Sequence, residues 1–203
     1  MNRSDLSYAL QAVLPHAGTS APCDVVGLAA EDGVLAVWAT DRYTAAVATV
    51  PTAWALGDTF LSAKEARDLE RYVRPVLVAH KAASVELGPS FPFTVWNERD
   101  REALEFDTAS DGVSLDQLLR LFDGIHSQSP GYSQQVYDPQ LLARFVKAQR
   151  HPTDRLRIYP RVSEKSYGTA LVTVGDSFLA AVAGLSFDSV GEDPITSLLE
   201  RVA

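Results

Sequence analysis

An α+β fold is predicted by two observations. Hydrophobic spacing switches along the chain between helical and strand periods, and the order of one helix followed by antiparallel strands occurs twice, in 62–107 and in 138–183. Identity between these copies is slight, so the repeat is one of pattern. The expected architecture is helices packed on antiparallel sheets, with a first module over 1–112, a connecting segment 113–135, a shorter second module 136–187 and a tail 188–203.

Each element has a local cause. Leu6, Ala9, Leu10, Val13 and Leu14 are spaced as one helical face over 5–14, and Pro15 stops it. Residues 24–30 and 34–50 are rich in Val, Ala, Trp and Tyr around the Glu31-Asp32-Gly33 turn, which predicts a hairpin. A second helix spans 62–74, capped by Ser62 and ended before Pro75. Strands follow at 76–80, 83–87, 91–97 and 102–107, broken by Gly88-Pro89 and by the charged run 98–101. Residues 114–123 read as a brief helix or anchor and 124–135 as a polar loop. Asp138 caps, and Pro139 opens, a helix to 150, with strands at 155–162 and 169–183 beyond. In the tail, Asp193-Pro194 precedes Ile195, Leu198, Leu199 and Val202 at helical spacing, an apolar stripe that could dock on the same chain or on a neighbour.

Composition limits the function classes. With 203 residues, 46% of them hydrophobic, the chain can bury one substantial core or two modest ones. The N-terminus lacks an apolar h-region and no stretch is long enough to span a bilayer, so the expected location is cytoplasmic, away from membranes. Cys23 is the only cysteine, which excludes an internal disulfide and a cysteine zinc cluster; no cofactor or metal is expected.

The formal net charge is −8, yet two segments carry their cations on one side. At 100° per residue Lys64, Arg67, Arg71 and Arg74 fall within an arc of about 80°, opposite Ala63, Ala66, Leu69, Tyr72 and Val73. Arg144, Lys147 and Arg150 likewise oppose Leu141, Leu142, Phe145 and Val146. One basic helix face is ordinarily a solvated surface. Two in an acidic chain predict a directed positive surface facing nucleic acid.

The stretch Ala39-Thr40-Asp41-Arg42-Tyr43-Thr44-Ala45-Ala46-Val47, followed by Phe60-Leu61-Ser62-Ala63-Lys64, resembles the middle domain of the bacterial DNA polymerase III beta sliding clamp. Residues 171–182 resemble the last strands of the third domain in that family. Together the resemblance covers 1–125 and 136–187. It implies a clamp-like processivity fold, one complete and one truncated domain, acting as a DNA-tethering or scaffold subunit of a replication or repair assembly. Its partners would be double-stranded DNA, held without sequence preference by the seven cations above, clamp-binding peptides of polymerases or repair proteins, and further copies of the chain. The resemblance places the peptide cleft at Val25, Thr40, Arg42, Tyr43, Thr44, Ala45, Val182, Ala183 and Leu185. Two departures stand out. Ala183-Gly184-Leu185-Ser186 replaces the usual Met-Pro element and following Arg, which alters or removes a cleft wall. One and a half domains per chain also require three or more subunits for a ring; the alternative is an interaction module that does not encircle DNA. Gln117-Leu118-Leu119-Arg120-Leu121-Phe122 faintly resembles the partners' own clamp-binding peptides, and is equally a packed anchor.

Gly175-Asp176-Ser177-Phe178-Leu179 also resembles the nucleophile block of GDSL-type esterases. A serine nucleophile needs a histidine base, and His16, His80, His126 and His151 all precede Ser177. A strand-to-strand turn is the simpler reading, and the chain is expected not to be an enzyme.

Overall fold

In a computed structural model of the chain, described for residues 1–74, 85–88, 93–97, 102–130, 137–161 and 168–184, the first helix α1 runs over Arg3–Val13 and tightens into a 3-10 turn at Leu14–His16. Strands β1 (Val25–Glu31), β2 (Val34–Thr40), β3 (Thr44–Pro51) and β4 (Leu56–Ser62) lead into α2 (Ala63–Val73). Then come β5 (Val85–Gly88), β6 (Phe93–Asn97), β7 (Glu102–Phe106), β8 (Thr108–Ala109) and α3 (Leu115–His126). The last elements are α4 (Pro139–Ala143), a 3-10 segment Arg144–Ala148, β9 (Leu156–Arg161), β10 (Thr169–Val174) and β11 (Phe178–Ala183).

The α+β expectation holds. An eight-stranded antiparallel sheet has the order β8-β4-β1-β2-β3-β11-β10-β9, and β5-β6-β7 form a second sheet. Since β3 pairs with β11, one sheet runs from the 1–112 segment into the 136–187 segment. On one face α1, α2 and residues 141–148 bury Leu6, Leu10, Leu28, Leu69, Phe145 and Val172, together with Val95 and Phe106 of the smaller sheet. On the other face α3 lays Leu118, Phe122 and Ile125 on Trp38, Ala45, Val47, Leu171 and Ala181.

Several elements differ from the sequence reading. The 34–50 run is two strands, because the Asp41 carboxylate accepts the amides of Tyr43 and Thr44 and turns the chain, with Arg42 at φ 77°. Strand β4 has no clean alternation, since Gly57 and Asp58 stand together exposed, and it was not anticipated. The expected strands at 91–97 and 102–107 contain β6 and β7, whereas 76–80 lies outside the described residues, as does the tail. The anchor at 114–123 is a three-turn helix extending to His126, started by a reciprocal capping box between Ser114 and Gln117. Ser62 caps α2 by accepting the Glu65 amide, as expected.

The 138–150 helix is the main correction. Asp138 and Pro139 do begin it, but only five residues are α-helical before the 3-10 segment takes over, and Gln149 is extended. The tighter winding sets Phe145 between His16 and Phe178, at ring-centroid distances of 5.1 and 6.2 Å, and leaves Val146 66% exposed rather than on the apolar side.

Candidate functional site

Helix α2 is amphipathic and lies beside α1 with Ala66, Leu69 and Val73 inward. Its outward side, the start of the 3-10 turn after α1, and Lys147 enclose a groove of about 380 Å³. Arg67, Arg71, Arg74 and Lys147 line it, with Gln11, Leu14 and Pro15. Glu70 sits at its base, buried, and accepts from Ser7 Oγ, Gln11 Nε2 and Arg74 Nε at 3.1, 2.6 and 2.9 Å. Burial raises the Glu70 carboxyl, but these donors outweigh burial and hold its pKa below the usual range. Glu70 thereby fixes Arg74 in the groove. Arg71 makes only an exposed pair with Asp68 at 2.9 Å, and no ion pair among the described residues engages Arg67, Lys64 or Lys147. Four of the seven expected cations thus share one groove, with Lys64 on the same helix face.

The other two serve a different purpose. Arg144 is ion-paired with Asp41 and donates to Thr44 Oγ1 at 3.0 Å. Arg150 is ion-paired with Asp5 and lies over the Tyr8 ring, 5.3 Å from its centroid. Both pairs are mostly shielded and tie the 144–150 segment to the body of the fold. Their charges are balanced locally, as that of Arg74 is by Glu70. The partners lie 103 and 145 residues away, beyond any spacing rule.

Arg144 instead belongs to the β2–β3 turn. Asp41 accepts from Tyr43 N, Thr44 N, Thr44 Oγ1 and Arg144; burial raises its carboxyl, yet the donors bring the pKa below the usual range. The turn presents Tyr43, 65% exposed, and Arg42, while Thr44, Ala45, Val25 and Val182 are buried. Ala183 donates its amide to Tyr43 O at 2.8 Å, which brings the end of β11 to the same rim. Of the nine expected cleft residues, Thr40, Arg42, Tyr43 and Ala183 reach the surface, and Leu185 lies outside the described residues. We expect Arg144→Met to lower stability by about 2 kcal/mol at neutral pH by urea unfolding, since Asp41 would keep a partly buried, uncompensated charge. The deficit should shrink as pH falls through the Asp41 range, because the depressed folded pKa stabilises only while the carboxyl is ionised. Equal stabilities at pH 7 would show that the pair contributes nothing.

The esterase alternative finds no support in the geometry. Ser177 does occupy a turn between β10 and β11, with Gly175 at φ 58°, but its hydroxyl meets Tyr8 Oη at 3.0 Å. Among the described residues no histidine nitrogen bonds Ser177: His126 meets Arg161, and both ring nitrogens of His16 are buried without a partner. No group of three metal-ligating side chains occurs among the described residues, and none of their helices is long and apolar enough to cross a membrane.

No family model matches the sequence, and no curated protein matches it either. The fold does have counterparts. The architecture of α1 and α2 on one face of a shared antiparallel sheet is that of a DNA clamp. More narrowly, it is the fold of bacterial DNA polymerase III beta sliding clamps. A putative beta subunit from Eubacterium rectale superposes with a TM-score of 0.67 at 7% identity, over 92% of this chain and 65% of that one. The Pseudomonas aeruginosa sliding clamp gives 0.65 at 11%, over 92% and 66%. The Bartonella birtlesii clamp bound to griselimycin gives 0.63 at 12%, over 96% and 67%. At such identities the likeness establishes the fold, and the chain spans just under two thirds of the first two proteins.

Proposed function

We propose that the chain is a clamp-like subunit that tethers a replication or repair assembly to duplex DNA. The observation that carries this reading is the convergence of Arg67, Arg71 and Lys147 on the helical face of a clamp fold, beside Arg74, whose charge Glu70 balances. In a chain of net charge −8, a small basic groove supplies weak, sequence-blind phosphate contacts, and encirclement by several copies would supply persistence. The exposed Arg42-Tyr43 rim, held by Asp41 and Arg144, is the docking point for partner peptides in this reading. The role is binding, in the cytoplasm, without catalysis.

The test combines Arg67→Glu, Arg71→Glu and Lys147→Glu, leaving Arg74, Arg144 and Arg150 to hold their carboxylates. We expect retention on circular duplex DNA to fall at least tenfold with an unchanged circular dichroism spectrum, and linearising the DNA to release the parent protein. Unchanged retention in the variant would remove this groove from the DNA surface. Light scattering on the eluted protein should show three or more copies per particle; a monomer would remove encirclement and leave an interaction module.

A further inference from the structure

Lys147 reaches the basic groove from far along the chain. Of the described residues that line the groove it alone comes from the 136–187 segment; the others belong to α1, the 3-10 turn after it and α2. Its ammonium has no ion pair among the described residues, so the backbone that carries it must fix its place. That backbone is weak by itself. The five residues of 3-10 helix, Arg144–Ala148, make fewer than two turns, and Gln149 is already extended. Helices this short persist only where tertiary contacts hold them. Both ends are anchored by charge. Three residues before Lys147, Arg144 is ion-paired with Asp41 and donates to Thr44 Oγ1 at 3.0 Å, while three residues after it Arg150 is ion-paired with Asp5 and lies over the Tyr8 ring. Tyr8 Oη also donates to Ala148 O at 3.2 Å, and Phe145 is fully buried beneath the segment.

We propose that Arg144 and Arg150 are positioning residues: on the premise that the groove faces duplex DNA, their ion pairs hold the 3-10 segment so that Lys147 meets a phosphate, while neither arginine touches the DNA itself. The spacing supports this division of roles. Residues three apart share one side of a 3-10 helix, and at about 2 Å per residue Lys147 stands about 6 Å beyond Arg144. Two uncompensated cations at that separation repel, and the Asp41 carboxylate offsets the Arg144 charge beside the lysine. The anchors come from different elements, Asp5 from α1 and Asp41 from the β2–β3 turn, so the lysine is aligned to the body of the fold rather than to its own short helix. Loss of either pair frees one end of the segment. Lys147 must then order its own backbone before it can hold a phosphate.

The test measures equilibrium binding of the full chain to a short linear duplex over a series of salt concentrations, by fluorescence anisotropy. The slope of log K against log salt reads the phosphates neutralised, about 0.9 for each, whereas a loss of folded protein leaves that slope unchanged. Lys147→Met should flatten the slope by about 0.9. Arg144→Met and Arg150→Met should each flatten it as far, and neither should flatten it further when combined with Lys147→Met. Hydrogen exchange, which needs no DNA, should show the amides of 145–149 exchanging at least tenfold faster in both arginine variants, with those of α2 unchanged. An unchanged slope in any of the three single variants would overturn the proposal, as would a further drop in either double variant, which would make that arginine a phosphate contact. A parent protein that fails to bind the duplex would defeat the assignment of the groove to DNA, and exchange would then decide the positioning. Unaltered exchange of 145–149 overturns it in every case.

Discussion

Gly27→Ala should destabilise the protein by about 3 kcal/mol or more, because a side chain at this position has nowhere to go. An added Cβ would lie 2.1 Å from Trp38 Cε2 and 2.3 Å from Cζ2. Trp38 cannot yield to it. The ring is 1% exposed, donates to Val113 O, meets Phe60 edge-on at 6.0 Å and is covered by α3. A methyl group on β1 must therefore push the indole outward and lift the start of α3 with it. Urea unfolding measures the loss, and combining Gly27→Ala with Trp38→Leu should recover part of it, since the two sites share one contact. A Gly27→Ala protein within about 0.5 kcal/mol of its parent would contradict this packing.

The second large effect is acid lability centred on His16. Its ring is completely buried against Phe145 and Phe178; burial, and then the nearby Arg144 charge, lower its pKa from 6.5 to about 3. Asp41 opposes that shift only weakly. The folded state thus sheds a proton that the unfolded state keeps between pH 3 and 6.5. Stability consequently declines as pH falls below 6.5, at about 1.4 kcal/mol per unit, or about 2 kcal/mol by pH 5. His16→Leu should flatten this limb and, by removing two unpartnered ring nitrogens, raise stability at pH 7 by about 1–3 kcal/mol. The window above pH 5 isolates histidine from Asp41 and Glu70, whose depressed carboxyls act lower. Identical urea midpoints against pH for parent and variant would exclude His16 as the source.

What could be read from sequence was local. Ser62 and Asp138 each cap within three residues, and the cations of α2 follow from one helical period, so both survive in the structure. The β2–β3 turn escaped because the residues on both sides of Asp41 are equally β-prone, and only its carboxylate geometry bends the chain. The ion pairs of Arg144 and Arg150 were not legible because a helical wheel assumes a continuous helix and free side chains. Here Phe145 demands a tighter winding and the guanidinium groups find carboxylates from the first quarter of the chain.

The β3–β11 seam has a consequence for synthesis. On the ribosome β3 is complete more than a hundred residues before β11 emerges, an interval on the order of ten seconds at roughly 5–20 residues per second. Throughout that time the nascent meander offers a bare, alanine- and valine-rich border to any other strand in the cell. That border is an aggregation hazard until the final pairing closes it.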